Sequence, residues 1–143
     1  MASWMRKIAG LTVTLVLVAL FAVPVMAVRY SENEAALAWI RQSQQPDGGF
    51  SSGFSDGSDL GTTAEVILAA AASGRDVCTW ESADGASPLD YVAWQTASGE
   101  VTDVGNVSKA VLVAVATGQD PRNFGGRDLI DQLLAGQDSG TGM

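Results

Sequence analysis

The stretch DLGTTAEVILAAAASGRD, Asp59 to Asp76, recurs without a gap as DVGNVSKAVLVAVATGQD, Asp103 to Asp120, 44 positions later. Asp59, Gly61, Leu68, Ala70, Ala72, Gly74 and Asp76 are matched by the same residue type in the second copy, and most other positions change like for like. A fixed-period repeat means that one supersecondary unit is used more than once. Each copy holds an apolar run closed by a glycine, Gly74 or Gly118, the residue that most readily takes the left-handed turn after a helix. The runs predict a helix over about Thr62 to Ala72, with TTAE as its cap, and another over about Val107 to Thr117. VILAAAA and AVLVAVA are apolar on every side, so both helices are expected to be buried all round.

Between and around these runs lie amphipathic segments. Ser31 to Gln44 opens with SENE, a capping box, and places Ala36, Leu37 and Ile40 at helical spacing. A helix follows Ser87 as N-cap, with Pro88 at the first helical position and Asp90 in the first turn, and ends before Gly99. A last helix covers about Asp128 to Ala135. A glutamine-led turn follows each amphipathic segment: QQPDGGF (Gln44 to Phe50), QTASGEV (Gln95 to Val101) and QDSGTGM (Gln137 to Met143). Pro46, Asp47 and Gly48 carry strong turn chemistry, with Gly48 or Gly49 supplying positive φ. The expected fold is therefore all-α, an array of α-hairpins in an inner and an outer layer.

Gln-x-x-Asp-Gly-Gly-Phe between an amphipathic helix and a buried, alanine-rich helix ending in Gly-x-Asp resembles the repeats of the prenyltransferase and squalene-cyclase-like proteins. The resemblance covers about Ser31 to Met143. It implies a partial α/α toroid in which Gln44 bonds to backbone at a neighbouring helix end and Phe50 packs beside it. The structural motif then comprises Gln44, Asp47, Gly48, Gly49, Phe50, Asp59, Gly74, Gln95, Gly99, Asp103, Gly118 and Gln137. Two and a half hairpins are too few to close a toroid, so the chain reads as a truncated form of a longer protein. A short domain completed by oligomerisation is the alternative. The family also contains vitamin-B12 carriers and thioester domains, so the fold does not fix the activity.

The acidic, glycine-rich loop from Ser43 to Asp59 invites a metal or catalytic reading. An EF-hand counted from Asp56 fails, because Leu60 and Ile67 stand where oxygen ligands are needed. Asp47, Asp56 and Asp59 could gather only in a looser site. DGSD lacks the Asp-x-Asp-Asp string of the alkene-protonating cyclases, and its second aspartate reads as the helix N-cap Asp59. The chain has no histidine and one cysteine, which removes His-based acid–base work and the Asp/Cys/His zinc set of the protein prenyltransferases. No catalytic residue, no metal and no cofactor is expected. The aromatics Trp39, Trp80, Trp94 and Tyr91 are expected in the core rather than lining an apolar cavity. Asn106, within the sequon NVS, is expected to cap its helix, and Cys78 to be a small buried hydrophobe. What the repeat leaves over is the insertion SSGFSDG, centred on Phe54 and Asp56.

The chain opens with Arg6 and Lys7, an apolar run from Ile8 to Val23, Pro24, and the small-residue ending VMA. This reads as a secretory signal peptide over residues 1–27, cut after Ala27, with residues 28–143 as the repeat domain. The rival reading is an uncleaved, single-pass signal anchor. Losing Arg6 and Lys7 takes the net charge from −8 to −10. Such a surface argues against nucleic acid or anionic lipid as partner. The reading that results is an exported, non-catalytic module binding a protein or an apolar, corrinoid-like small ligand. A fragment of a terpenoid-cyclase or prenyltransferase-like enzyme, its catalytic residues elsewhere, is the alternative.

Overall fold

A computed structural model of the chain describes residues 32–54 and 56–137. The segment read as a signal peptide, the expected Ser31 cap and the end of the third glutamine-led turn lie outside the described residues. The chain divides into two compact units, residues 1–38 and 39–143. Of the first, residues 32–38 are described and are helical. The regular elements are all helical. They are α1 (32–41), α2 (Leu60–Ala72), α3 (Pro88–Ser98), α4 (Val104–Ala116) and α5 (Leu129–Ala135), with 3-10 turns at Val77–Thr79 and Pro121–Asn123. No strand occurs among the described residues, only a bridge between Phe124 and Arg127.

The two 18-residue copies take the same local structure. Asp59 caps α2 by accepting from the Thr62 amide at 2.7 Å, and Asp103 caps α4 by accepting from the Asn106 amide at 2.9 Å. Each helix has 13 residues. Each ends with a left-handed glycine, Gly74 at φ 71° and Gly118 at φ 72°. In each, the next amide bonds back to the third-last turn residue, Arg75 to the Ala70 carbonyl and Gln119 to the Ala114 carbonyl, which satisfies carbonyls that the helix would otherwise orphan. Asp76 and Asp120 then cap the two 3-10 turns through the amides of Cys78 and Arg122. The equivalence continues past the sequence match, to Trp80 and Phe124, both buried.

Four expectations need correction. Both apolar helices start earlier than expected, at Leu60 and Val104, because Asp59 and Asp103 are the caps. Asn106 is not a cap, and its side-chain amide donates to the Asp103 carboxylate instead. Neither helix is buried all round: α2 buries Leu60, Thr63, Ala64, Ile67 and Ala70, and α4 buries Val107, Ala110, Val113 and Ala114. Neighbours cover only part of each circumference, since α2 packs on α3 and α4, and α4 on α2 and α5. Helix α1 stops at 41 rather than 44. Gln42, Ser43 and Gln44 close tight turns onto Trp39, Ile40 and Arg41 as the chain approaches Pro46, which disfavours helix before it.

The core of the second unit is built from Phe50, Ile67, Val77, Val92, Val107, Val113 and Leu129, each almost wholly removed from water. Burying an aliphatic side chain of this kind contributes about 1.5–3 kcal/mol. The caps hold these short helices in register for that packing. Burial pushes the Asp59 carboxyl up, but hydrogen bonds from Thr62 and Ser52 outweigh it and hold it below its ordinary value of 3.8. A carboxyl depressed by folding stabilises the fold above the unfolded value and loses that contribution as pH falls through the lower, folded one. Asp59→Ala should therefore cost about 1 kcal/mol in urea unfolding at neutral pH. The difference from the parent chain should shrink as the pH is taken below 3.8.

Candidate functional site

The turn from Gln44 to Phe50 is tied to three other segments. Within it, the Gln45 amide donates to the Gly49 carbonyl at 2.9 Å, and Asp47 Oδ1 accepts from the Gly49 amide at 3.0 Å. Gln44 Nε2 reaches across to the Trp80 carbonyl at 3.0 Å and lies 3.4 Å from that of Ala86, both on the loop that leads into α3. Ser82 Oγ donates back to the Pro46 carbonyl at 2.6 Å. Phe50 is buried, and its amide donates to Thr63 Oγ1 on α2 at 2.9 Å. Gly48 has φ 88°, and a Cβ there would sit 2.5 Å from the Ser87 carbonyl oxygen, so the turn lies directly against the start of α3.

The second turn keeps the spacing but not every contact. Gly99, four residues after Gln95, is again left-handed at φ 86°, and Val101 is buried where Phe50 stands in the first turn. Gln95 itself does not bridge to the next loop. Its Nε2 donates to the Tyr91 hydroxyl at 2.9 Å, and that hydroxyl donates to the Ser58 carbonyl at 2.9 Å. Gln132 Nε2 does the equivalent work on α5, donating to the Val101 carbonyl at 2.7 Å. Tyr91 and Gln132 each stand four residues after the cap of their helix, Ser87 or Asp128. Sequence reading missed this pair, which shares only its offset from the cap of each helix. Gln137 lies exposed just after α5.

The carboxylates of the acidic loop are not gathered. Asp59 accepts from the amides of Thr62 and Ser52, and Asp47 from Gly49 and the Ser58 hydroxyl at 2.6 Å. Asp56 is exposed in the insertion. Among the described residues no group of three metal-ligating side chains is placed to hold an ion. Phe54, at the centre of the insertion, is 98% exposed.

A half-open cleft of about 410 Å³ lies beside this turn, lined by Asp47, Ala86, Asp90, Tyr91 and Trp94. Trp94 is 64% exposed and Trp39 is exposed too, against the expectation that both are core; Trp80 and Tyr91 are buried as expected. The reason is angular: Tyr91 and Val92 are on the buried side of α3, while Trp94 falls outside it. Asp90 is anchored by the Ser87 amide and hydroxyl, at 2.9 and 2.7 Å. Burial raises the Tyr91 phenol, the negative charges of Asp47 and Asp59 push the same way, and the Gln95 bond opposes them. Tyr91 is thus a neutral donor, and the charge at the cleft comes from its carboxylates. A second cleft of about 400 Å³ lies between the C-terminal ends of α2 and α4, against Ala71, Arg75, Cys78 and Thr117. Cys78 is exposed, contrary to expectation, because it rides on the outer side of a 3-10 turn.

No family model, curated protein or solved structure matches the chain. Its function has to be read from its own geometry.

Two outcomes are expected. Gly48→Ala forces a side chain into a left-handed position and against the Ser87 carbonyl, so chemical denaturation should show a loss of about 2–3 kcal/mol. Although the residue is exposed, partial desolvation of its thiol first, and then the neighbouring Asp76, raise Cys78 above its ordinary value of 9.0. Alkylation should therefore be slower at pH 8 than for a free cysteine, with its midpoint above 9.0, and Asp76→Asn should accelerate it.

Proposed function

We propose that the chain is an exported, non-catalytic helical-repeat module, of the prenyltransferase and squalene-cyclase-like kind, that binds a basic segment of a partner protein. The architectural part of this reading is supported by the two copies, by their shared caps and glycine ends, and by the Gln44 bridge to the loop before α3. A partial toroid of α-hairpins accounts for these features together. Export rests on Arg6, Lys7 and the apolar run that follows them, which reads as a leader.

The binding part rests on a single observation, the cleft in which the exposed ring of Trp94 and the ring of Tyr91 stand beside the carboxylates of Asp47 and Asp90. An arginine side chain suits that arrangement. Its planar guanidinium stacks on an aromatic face and pairs with carboxylates in a fixed fork. The net charge of −10 left once Arg6 and Lys7 depart with the leader draws a basic segment toward the surface and repels anionic ligands. A non-catalytic role fits the state of the carboxylates. Asp59 is held ionised by amide donors, and Asp47 and Asp90 are engaged in a turn and a capping box.

Titration calorimetry with an arginine-rich peptide and a glutamate-rich peptide of the same length tests this. The basic peptide should bind, more weakly as salt is raised, and the acidic one should not. Trp94→Ala should weaken binding about tenfold while leaving the fold intact. Equal binding of both peptides, or no effect of Trp94→Ala, would refute the proposal.

A further inference from the structure

Positions 44 apart in the two copies can be compared for burial, and α2 and α4 differ in a regular way. On α4, Ala110 and Val113 are fully buried, while their counterparts on α2, Val66 and Ala69, are half-buried and exposed. On the other flank the order reverses. Ala64 is buried and Leu68 and Ala71 are half-buried on α2, whereas on α4 Ser108 is half-buried and Leu112 and Val115 are 54% and 61% exposed.

Helix α2 packs on α4, and a Cβ at Gly61 would lie 3.2 Å from Lys109 Nζ, which identifies the flank of α2 that faces α4. Gly61, Ala64, Leu68 and Ala71 share that flank by helical spacing. The answering flank of α4 carries Ala110 and Val113. Within one chain, then, the leading flank of α2 meets the trailing flank of α4. On the leading flank of α4 Leu112 and Val115 are exposed and Ser108 is half-buried, and on the trailing flank of α2 Ala69 is exposed and Thr62 and Val66 are half-buried. These are the same two surfaces, one copy further along in each direction.

We propose that a second copy of this chain docks head to tail, the trailing flank of its α2 on the leading flank of α4. Three observations support that occupant. The intramolecular α2–α4 contact is continuous with the proposed one and uses equivalent positions. Thr62 and Ala69 are small and Val66 is short, so two helices can approach closely there. The charges also match: Glu65 and Lys109 occupy equivalent positions with opposite sign and pair at 2.8 Å within the chain, so the same geometry sets Lys109 of one copy facing Glu65 of the next. The contact is heterologous, which leaves a free flank at each end of the pair and allows further copies to add.

Sedimentation of the full chain, in a mild detergent that keeps the apolar N-terminal segment dispersed, tests this. Association should rise with concentration. Leu112→Arg and Ala69→Arg should each weaken it roughly a hundredfold by burying an unpaired charge, and circular dichroism should be unchanged because both sites are open to solvent. The decisive arm mixes the two single variants. Leu112→Arg keeps a working α2 flank and Ala69→Arg a working α4 flank, so the mixture should form a complex that stops at two chains. The double variant should remain monomeric. A parent chain that stays monomeric to about 100 µM, an Ala69→Arg variant that associates normally, a mixture that does not pair, or a double variant that still assembles would each overturn the proposal.

Discussion

The amides at the start of a short helix have no partner inside it, and this fold depends on aspartates to supply one. Asp59, Asp103 and Asp128 accept from the first turns of α2, α4 and α5, and Asp76 and Asp120 do the same for the 3-10 turns. Asp90 completes a reciprocal box with Ser87 on α3. With helices of 7 to 13 residues, terminal groups are a large share of the backbone, and each cap contributes about 1 kcal/mol. The acidic balance of the chain is therefore partly an inventory of caps. Each carboxylate is also favoured by the partial positive charge at the helix start it occupies.

Capped helices still need to be fixed against one another, and here the loops do the work. Gln44, Tyr91 and Gln132 each send a side-chain donor to a carbonyl in a different segment, at Trp80, Ser58 and Val101. A buried or half-buried carbonyl at a loop must find such a donor. Gly48 lets the first turn come within contact of the Ser87 carbonyl, which a side chain would prevent. The same ties position the cleft. Asp47 belongs to the first turn, Asp90 to the α3 cap and Tyr91 to the cross-loop bond, so the residues that would grip a ligand are also those that join the elements.

Much of this was legible in the chain of letters. The second copy of the Asp-to-Asp stretch announced two like helices, and Ser87, Pro88 and Asp90 announced the start of α3. The glycines at 48, 99, 74 and 118 were readable as left-handed turns because few other residues tolerate that conformation. Less was legible in the site. Trp94 and Tyr91 lie three residues apart on one helix, and nothing in their types says which faces water. Cys78 lies between Val77 and Trp80, both buried, yet is itself exposed. Local turn geometry, not hydrophobicity, decides that. The Tyr91–Gln132 equivalence was hidden because different side chains do one job.

Sequence alone determined which segments form helices and, within a residue, where α2 to α5 stop, since capping, left-handed glycines and proline act through bonds a few positions apart. It also carries the Asp-to-Asp stretch twice. Which side of each helix is covered was decided only by tertiary structure. VILAAAA and AVLVAVA are apolar on every side, so neither run carries a signal to orient it, and burial depends on which neighbours are present. The neighbour of α2 is α4, and it hides Ala64. The corresponding flank of α4 leaves Leu112 and Val115 facing water.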